Sequence, residues 1–169
     1  MAKLNIQTGT DNKILRTRSE RIKKVDKKII RLVDNMRETL LLENGLGLAA
    51  PQVGENIRVI LARLNFDTPQ EMVKPLINPE IILTSDETVV AEEGCLSLPD
   101  CYKPVERFKK IRVRFDDIRG EGHILELEDL NARIVQHEVD HLNGMLFIDR
   151  VDEDAMLVSE KGTGHPKGM

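Results

Sequence analysis

The 169-residue chain has little cysteine, no long apolar run and no large excess of either charge. Each shortage removes a class of protein. Two cysteines, Cys95 and Cys101, are too few for a disulfide framework; in a reducing compartment each serves as a ligand, a nucleophile or core filler. The longest apolar run falls far short of the ~18 residues that cross a bilayer, and the opening Met1-Ala2-Lys3-Leu4-Asn5-Ile6 lacks the apolar stretch of a signal peptide. A cytoplasmic protein with no membrane partner is expected. With 25 Lys plus Arg against 29 Asp plus Glu, the formal charge is −4, so no direct nucleic-acid binding is expected either. No repeat, low-complexity tract or linker divides the sequence. A hydrophobic content of 40% suffices for one sizeable core, so residues 1–169 are read as a single domain, with the glycine-rich 161–169 as a flexible tail.

Ile29, Val33, Met36 and Leu40 recur at three- and four-residue steps after Asp26, which predicts an amphipathic helix over 27–43 stopped by Asn44 and Gly45. Short β-branched runs then follow at 57–64, 76–83, 88–91, 111–115 and 123–127, broken by Pro, Gly and Asp. Asp129 offers an N-cap for a second helix whose apolar positions are Leu130, Ile134, Val135, Val139 and Leu142, ended by Asn143 and Gly144. Helix, many strands and helix in that order favour an α+β domain with mostly antiparallel sheets.

The strongest local signal is His137-Glu138-Val139-Asp140-His141. Residues four apart share one helix face, so two imidazoles there can hold one metal ion. Glu138 can move a proton beside the ion without occupying a coordination position, the division of labour in HExxH hydrolases. Both histidines continue the stripe begun by Leu130 and Ile134 and so point inward, where unpaired imidazoles would be costly.

A catalytic site needs a third ligand. A metzincin would place histidine at position 147, where this chain has Phe147, and downstream only Glu153 and Glu160 could serve a gluzincin. The third ligand therefore belongs upstream, where Glu92-Glu93-Gly94-Cys95-Leu96-Ser97-Leu98-Pro99 holds a cysteine in an apolar setting. Cys95 is either a thiolate ligand for zinc or ferrous iron or a small core residue. Cys101, beside Tyr102 in a more polar stretch read as a loop, is the weaker choice. A third segment, Gly45-Leu46-Gly47-Leu48-Ala49-Ala50-Pro51-Gln52, permits close backbone approach and ends in a donor amide. It lacks the Gly-Lys-Ser/Thr ending of a phosphate loop.

These three segments together resemble the peptide deformylase family, whose patterns G-ϕ-G-L-A-A-x-Q, E-G-C-L-S and Q-H-E-x-D-H-L-x-G are matched at every fixed position by 45–52, 93–97 and 136–144. The resemblance implies an α+β fold with sheets wrapped around a central helix that carries the histidines. It implies Cys95, His137 and His141 as ligands of one divalent ion, Fe²⁺ in the cell with Zn²⁺ or Ni²⁺ as replacements in purified protein. Glu138 becomes the general acid and base, and Gln52 and the Leu96 backbone N–H face the oxyanion. Leu46, Gly47, Gly94, Arg133 and Ile134 border the substrate, and Glu93 with Arg107 supports the cysteine. Asp140 is either a supporting group or a solvated helix carboxylate. The implied reaction releases formate from the N-formylmethionyl end of newly made polypeptides; the rival is an HExxH metallo-endopeptidase. Asp100 and Tyr102 depart from common members of the family, and the acidic Asp152-Glu153-Asp154 stands where some members continue into a long basic helix, so ribosome association stays open as a partner expectation but is not assigned to such a helix.

Overall fold

The computed structural model of the chain describes residues 2–151, so the tail expected at 161–169 lies outside the described residues. The helices are α1 (Lys13–Arg16), α2 (Lys27–Leu42) and α3 (Asp129–Leu142). The strands are β1 (Gly47–Ala49), β2 (Val59–Leu64), β3 (Met72–Thr84), β4 (Thr88–Cys95), β5 (Leu98–Phe108), β6 (Lys110–Asp116) and β7 (Gly122–Glu128). Five strands form a sheet in the order β1-β2-β3-β6-β7, while β4 and β5 form a separate hairpin; every strand pairing is antiparallel. This is the α+β class expected.

Strand β2 shows how the sequence builds the layers. Its side chains alternate between two faces: Ile60 and Ala62 pack in one cluster with Ile134, Val135, Val139 and Leu142 of α3, and Val59 and Leu61 pack in another with Val33, Met36 and Leu40 of α2. The sheet therefore lies between two helices. Truncating Ile60, Leu61, Met36 or Leu40 to alanine would cost about 2–5 kcal/mol. Helix α2 starts where Asp26 Oδ1 accepts the Ile29 N–H at 3.0 Å, and the chain turns away at Asn44, which takes a left-handed φ of 51°. Helix α3 is the central element. Every residue from Ala132 to Leu142 is buried, with the five-stranded sheet on one side and polar contacts to the hairpin on the other.

Three expectations are corrected. Strand β5 is long although Pro99 and Pro104 interrupt its pattern, because a two-stranded hairpin has free edges where a missing N–H breaks no ladder. Cys101 consequently sits half-buried on a strand, not in a loop. Asp129 is not the cap of α3: it is the first helical residue, with φ 54°, and Glu128 precedes it in extended conformation without a side-chain capping bond. Leu130 is 39% exposed, so the buried part of α3 begins at Ala132.

Candidate metal centre

Strand β4 ends at Cys95, and α3 presents His137 and His141 one turn apart. The ligand atoms of the three residues lie within 4.8 Å of one another, with Cys95 Sγ 3.3 Å from His141 Nε2. All three residues are buried. Among the described residues, His137 Nε2, His141 Nδ1 and both carboxylate oxygens of Glu138 have no hydrogen-bond partner. Each orphaned polar atom would cost roughly 1–3 kcal/mol in an interior, so the set is unfavourable unless something cationic joins it. Burial, and then the charge of Glu138, pushes the Cys95 thiol up. Burial, then the charges of His137 and Arg107, pushes His141 well down. Neutral imidazole is the form that binds metal, and an ion reverses the penalty on the thiolate. Two nitrogens and one sulfur fit Zn²⁺ or Fe²⁺ and leave a fourth position open, as catalytic sites require.

Glu93 fixes the first imidazole. Its Oε1 lies 2.8 Å from His137 Nδ1, so Nδ1 carries the proton and Nε2 is left for the centre. Arg107 donates to both Glu93 oxygens at 2.9 Å and to Asp140 at 2.6 Å. Burial alone would raise the Glu93 carboxyl, but the bonds from Arg107 and His137 outweigh it and hold Glu93 well below the usual range. Asp140 also accepts from Arg150 at 2.6 and 2.9 Å. It is a buried member of this network, which decides between its two readings. Burial, followed by the charge of Glu93, pushes Glu138 well above an ordinary carboxylate.

Gln52 is fully buried on a 3₁₀ turn, Ala50–Val53. Its Oε1 accepts the Ala49 N–H at 2.8 Å, which commits the amide NH₂ to the centre: Nε2 donates to Ser97 Oγ at 3.1 Å and lies 3.5 Å from Cys95 Sγ. Leu96 follows Cys95 in the tight turn between β4 and β5. Beside the centre opens a cavity of about 420 Å³ with a mostly apolar wall that includes Leu46, Gly94, Tyr102, Phe108, Leu130 and Arg133. The Tyr102 ring lies against Gly94, where an added Cβ would fall 2.5 Å from a ring carbon. Leu46, Gly94 and Arg133 thus border the cavity. Gly47 instead packs on Glu138, and Ile134 is fully buried in the apolar core, outside the cavity wall.

Residues 4–156 match the family described as polypeptide deformylase. The chain belongs to that family. It is 44% identical over 146 residues to a peptide deformylase of Synechocystis sp., covering 86% of this chain and 78% of that protein. It is 46% identical over 142 residues to one from Bradyrhizobium diazoefficiens, covering 82% of each. The crystal structure of peptide deformylase from Thermotoga maritima superposes with a TM-score of 0.84 at 40% identity, covering 90% of this chain and 99% of that one. An actinonin-bound class I type b peptide deformylase from Acinetobacter baumannii gives 0.82 at 35% identity, covering 90% and 100%.

Within this deformylase fold, two neighbours of the centre escaped the sequence reading. Ser97 holds the Gln52 amide, and only its place in the Glu93–Ser97 segment hinted at a role. Phe147, noted as the residue that excludes a metzincin, stacks on His137 with ring centroids 6.0 Å apart and an interplanar angle of 24°. This chain thus packs an aromatic ring where a metzincin would place a third ligand.

Proposed function

We propose that this chain, as one catalytic unit, removes the N-formyl group from the N-terminal methionine of newly made polypeptides in the cytoplasm and releases formate. The observation that carries this reading is the convergence of Cys95, His137 and His141 with the Glu138 carboxylate, which has no hydrogen-bond partner among the described residues, in a chain of the deformylase family. A divalent ion held by the three ligands supplies Lewis-acid polarisation of water and of the formyl oxygen; Fe²⁺ is the cellular ion in this reading, with Zn²⁺ or Ni²⁺ in purified protein.

The remaining steps belong to the chain. Glu138 takes a proton from the attacking water at a carboxylate oxygen and returns it to the amide nitrogen as the carbon–nitrogen bond breaks, leaving formate and a free amine. Gln52 Nε2 and the Leu96 N–H donate to the developing oxyanion. Leu46, Gly94 and Arg133 border the methionine side chain; Ile134 packs in the same apolar cluster as Leu46, and Gly47 meets the substrate beside Glu138. The formyl carbon carries only hydrogen, so the tight contact of Gly47 with Glu138 favours it over bulkier acyl groups by exclusion.

The test is anaerobic purification, metal analysis and formate release from an N-formyl-Met tripeptide. Turnover of that peptide with casein left intact is expected; cleavage of casein without formate release would favour the endopeptidase.

A further inference from the structure

The hairpin that carries Cys95 and the helix that carries the histidines are separate elements, and their relative placement sets the ligand geometry. Arg133, one turn before His137 on α3, spans them. Its Nη1 donates to Glu93 Oε2 at 2.6 Å and to the Val105 carbonyl of β5 at 2.9 Å, and its Nη2 donates to the Val89 carbonyl of β4 at 2.6 Å. A buried guanidinium needs partners wherever it sits, but these three tie α3 to both strands of the hairpin and to the carboxylate that holds His137.

The Glu93 carboxylate shows what the first bond does. A carboxylate offers about four acceptor positions. Here Oε1 takes Arg107 Nη2 and His137 Nδ1, and Oε2 takes Arg107 Nε and Arg133 Nη1. All four are filled, so the group cannot turn. The arrangement sets two guanidinium groups on one buried carboxylate, and burial together with the charge of Arg107 acts against the charge on Arg133. Arg107 already grips both oxygens, so neutralising Glu93 does not require a second arginine. Arg133 fills the last acceptor position and ties the carboxylate to the Val89 and Val105 carbonyls of the hairpin.

We propose that Arg133 is a positioning residue for the metal centre: by locking Glu93 and the β4–β5 hairpin against α3, it sets where His137 Nε2 and Cys95 Sγ meet. This rests on the metal-site reading above and adds to it a residue that touches neither the ion nor the reacting atoms.

The experiment compares wild type, Arg133→Met and Arg133→Lys with Gln136→Met. Gln136 also ties α3 to β5, accepting from Phe108 N at 3.0 Å and donating to its carbonyl at 2.9 Å, with no bond to Glu93. Zn²⁺ affinity is measured by chelator competition, the Co²⁺ spectrum is recorded on folded protein, and Tm and the split between kcat and KM are followed alongside. Arg133→Met is expected to weaken metal binding about 10- to 100-fold and to shift the cobalt bands. Arg133→Lys, which cannot reach all three acceptors, falls between it and wild type, and Gln136→Met lowers Tm while keeping wild-type affinity. Wild-type affinity and cobalt spectrum in Arg133→Met, with only KM or only Tm changed, would overturn the proposal. So would equal metal loss in Gln136→Met. If Arg133→Met does not fold, a fully wild-type Arg133→Lys has the same force. A wild-type protein without a thiolate-to-cobalt band overturns the metal-site reading itself, and this inference with it.

Discussion

Gly47 packs so closely on Glu138 that no side chain fits between them. A Cβ built at position 47 collides with the carboxylate and comes within 2.8 Å of both Cγ and Cδ. Strand β1 therefore presses directly on the Glu138 side chain, and a substitution on either side of the contact should lower turnover without stripping the metal. Gly47→Ala should keep metal but lower kcat by at least about tenfold, because the carboxylate is pushed from its place. Glu138→Gln should also keep metal and lose about 10²- to 10⁴-fold in turnover, the usual worth of general acid–base catalysis. Metal analysis beside formate-release kinetics checks both. A metal-loaded Glu138→Gln protein with wild-type rates would remove Glu138 from the mechanism.

The ligand set makes a sharper division between the two cysteines. Cys95→Ser, His137→Ala and His141→Ala should each lose most of the metal, since neither a hard hydroxyl nor a methyl replaces thiolate or imidazole. Cys101, half-buried on β5 beside the Leu98 and Val105 cluster, is core filler by this account. Cys101→Ser should retain metal and activity. Full metal content in any of the first three proteins, or its loss from the fourth, would mean that the donors have been chosen wrongly.

The parts of this molecule that were legible in the sequence are those with a period or a spacing. Helix α2 declared itself by its three- and four-residue steps, and α3 by the four-residue separation of His137 and His141. What escaped was set by contacts between distant segments. Strand β5 was hidden by Pro99 and Pro104, whose cost depends on which strands lie beside them. The resemblance implies Ile134 as a substrate neighbour, and the register of α3 on the five-stranded sheet buries it in the core beside Leu46. The apolar spacing puts Leu130 in the buried stripe, but it is a partly exposed residue of the cavity wall. The bonds of Arg133 to Val89 and Val105 join residues 44 and 28 positions apart, and no local pattern encodes them.

Metal affinity should depend on pH with a defined sign. In the metal-free chain, burial and the neighbouring Glu138 raise the Cys95 thiol, so it holds its proton at neutral pH, while His141 is already neutral. Binding to the thiolate must expel the sulfur proton. Apparent affinity therefore falls as pH is lowered, by about tenfold per unit for each proton released. Chelator-competition titrations between pH 6 and 8, with calorimetry in two buffers of different ionisation enthalpy, measure the slope and the protons released. A flat profile with no proton release would place the metal on something other than Cys95.

Activity should also depend on the redox history of the metal. Fe²⁺ reacts with oxygen and leaves either an oxidised ion or a Cys95 raised on the sulfur oxidation ladder, whereas Zn²⁺ has no redox chemistry. Because Cys95 is buried against His141, damage to its sulfur would remove a ligand that no neighbouring thiol replaces, and activity would not return with fresh iron. Apo-protein reconstituted under argon with Fe²⁺ should be fast and lost in air. Ni²⁺ should preserve turnover through the same exposure. Zn²⁺ should give an air-stable but slower enzyme, since it settles readily into four-coordination and yields less easily to a fifth oxygen ligand. Formate release followed before and after admission of air separates these cases. Equal rates for iron and zinc, both unaffected by air, would remove the argument for iron while leaving the three ligands and Glu138 in their roles.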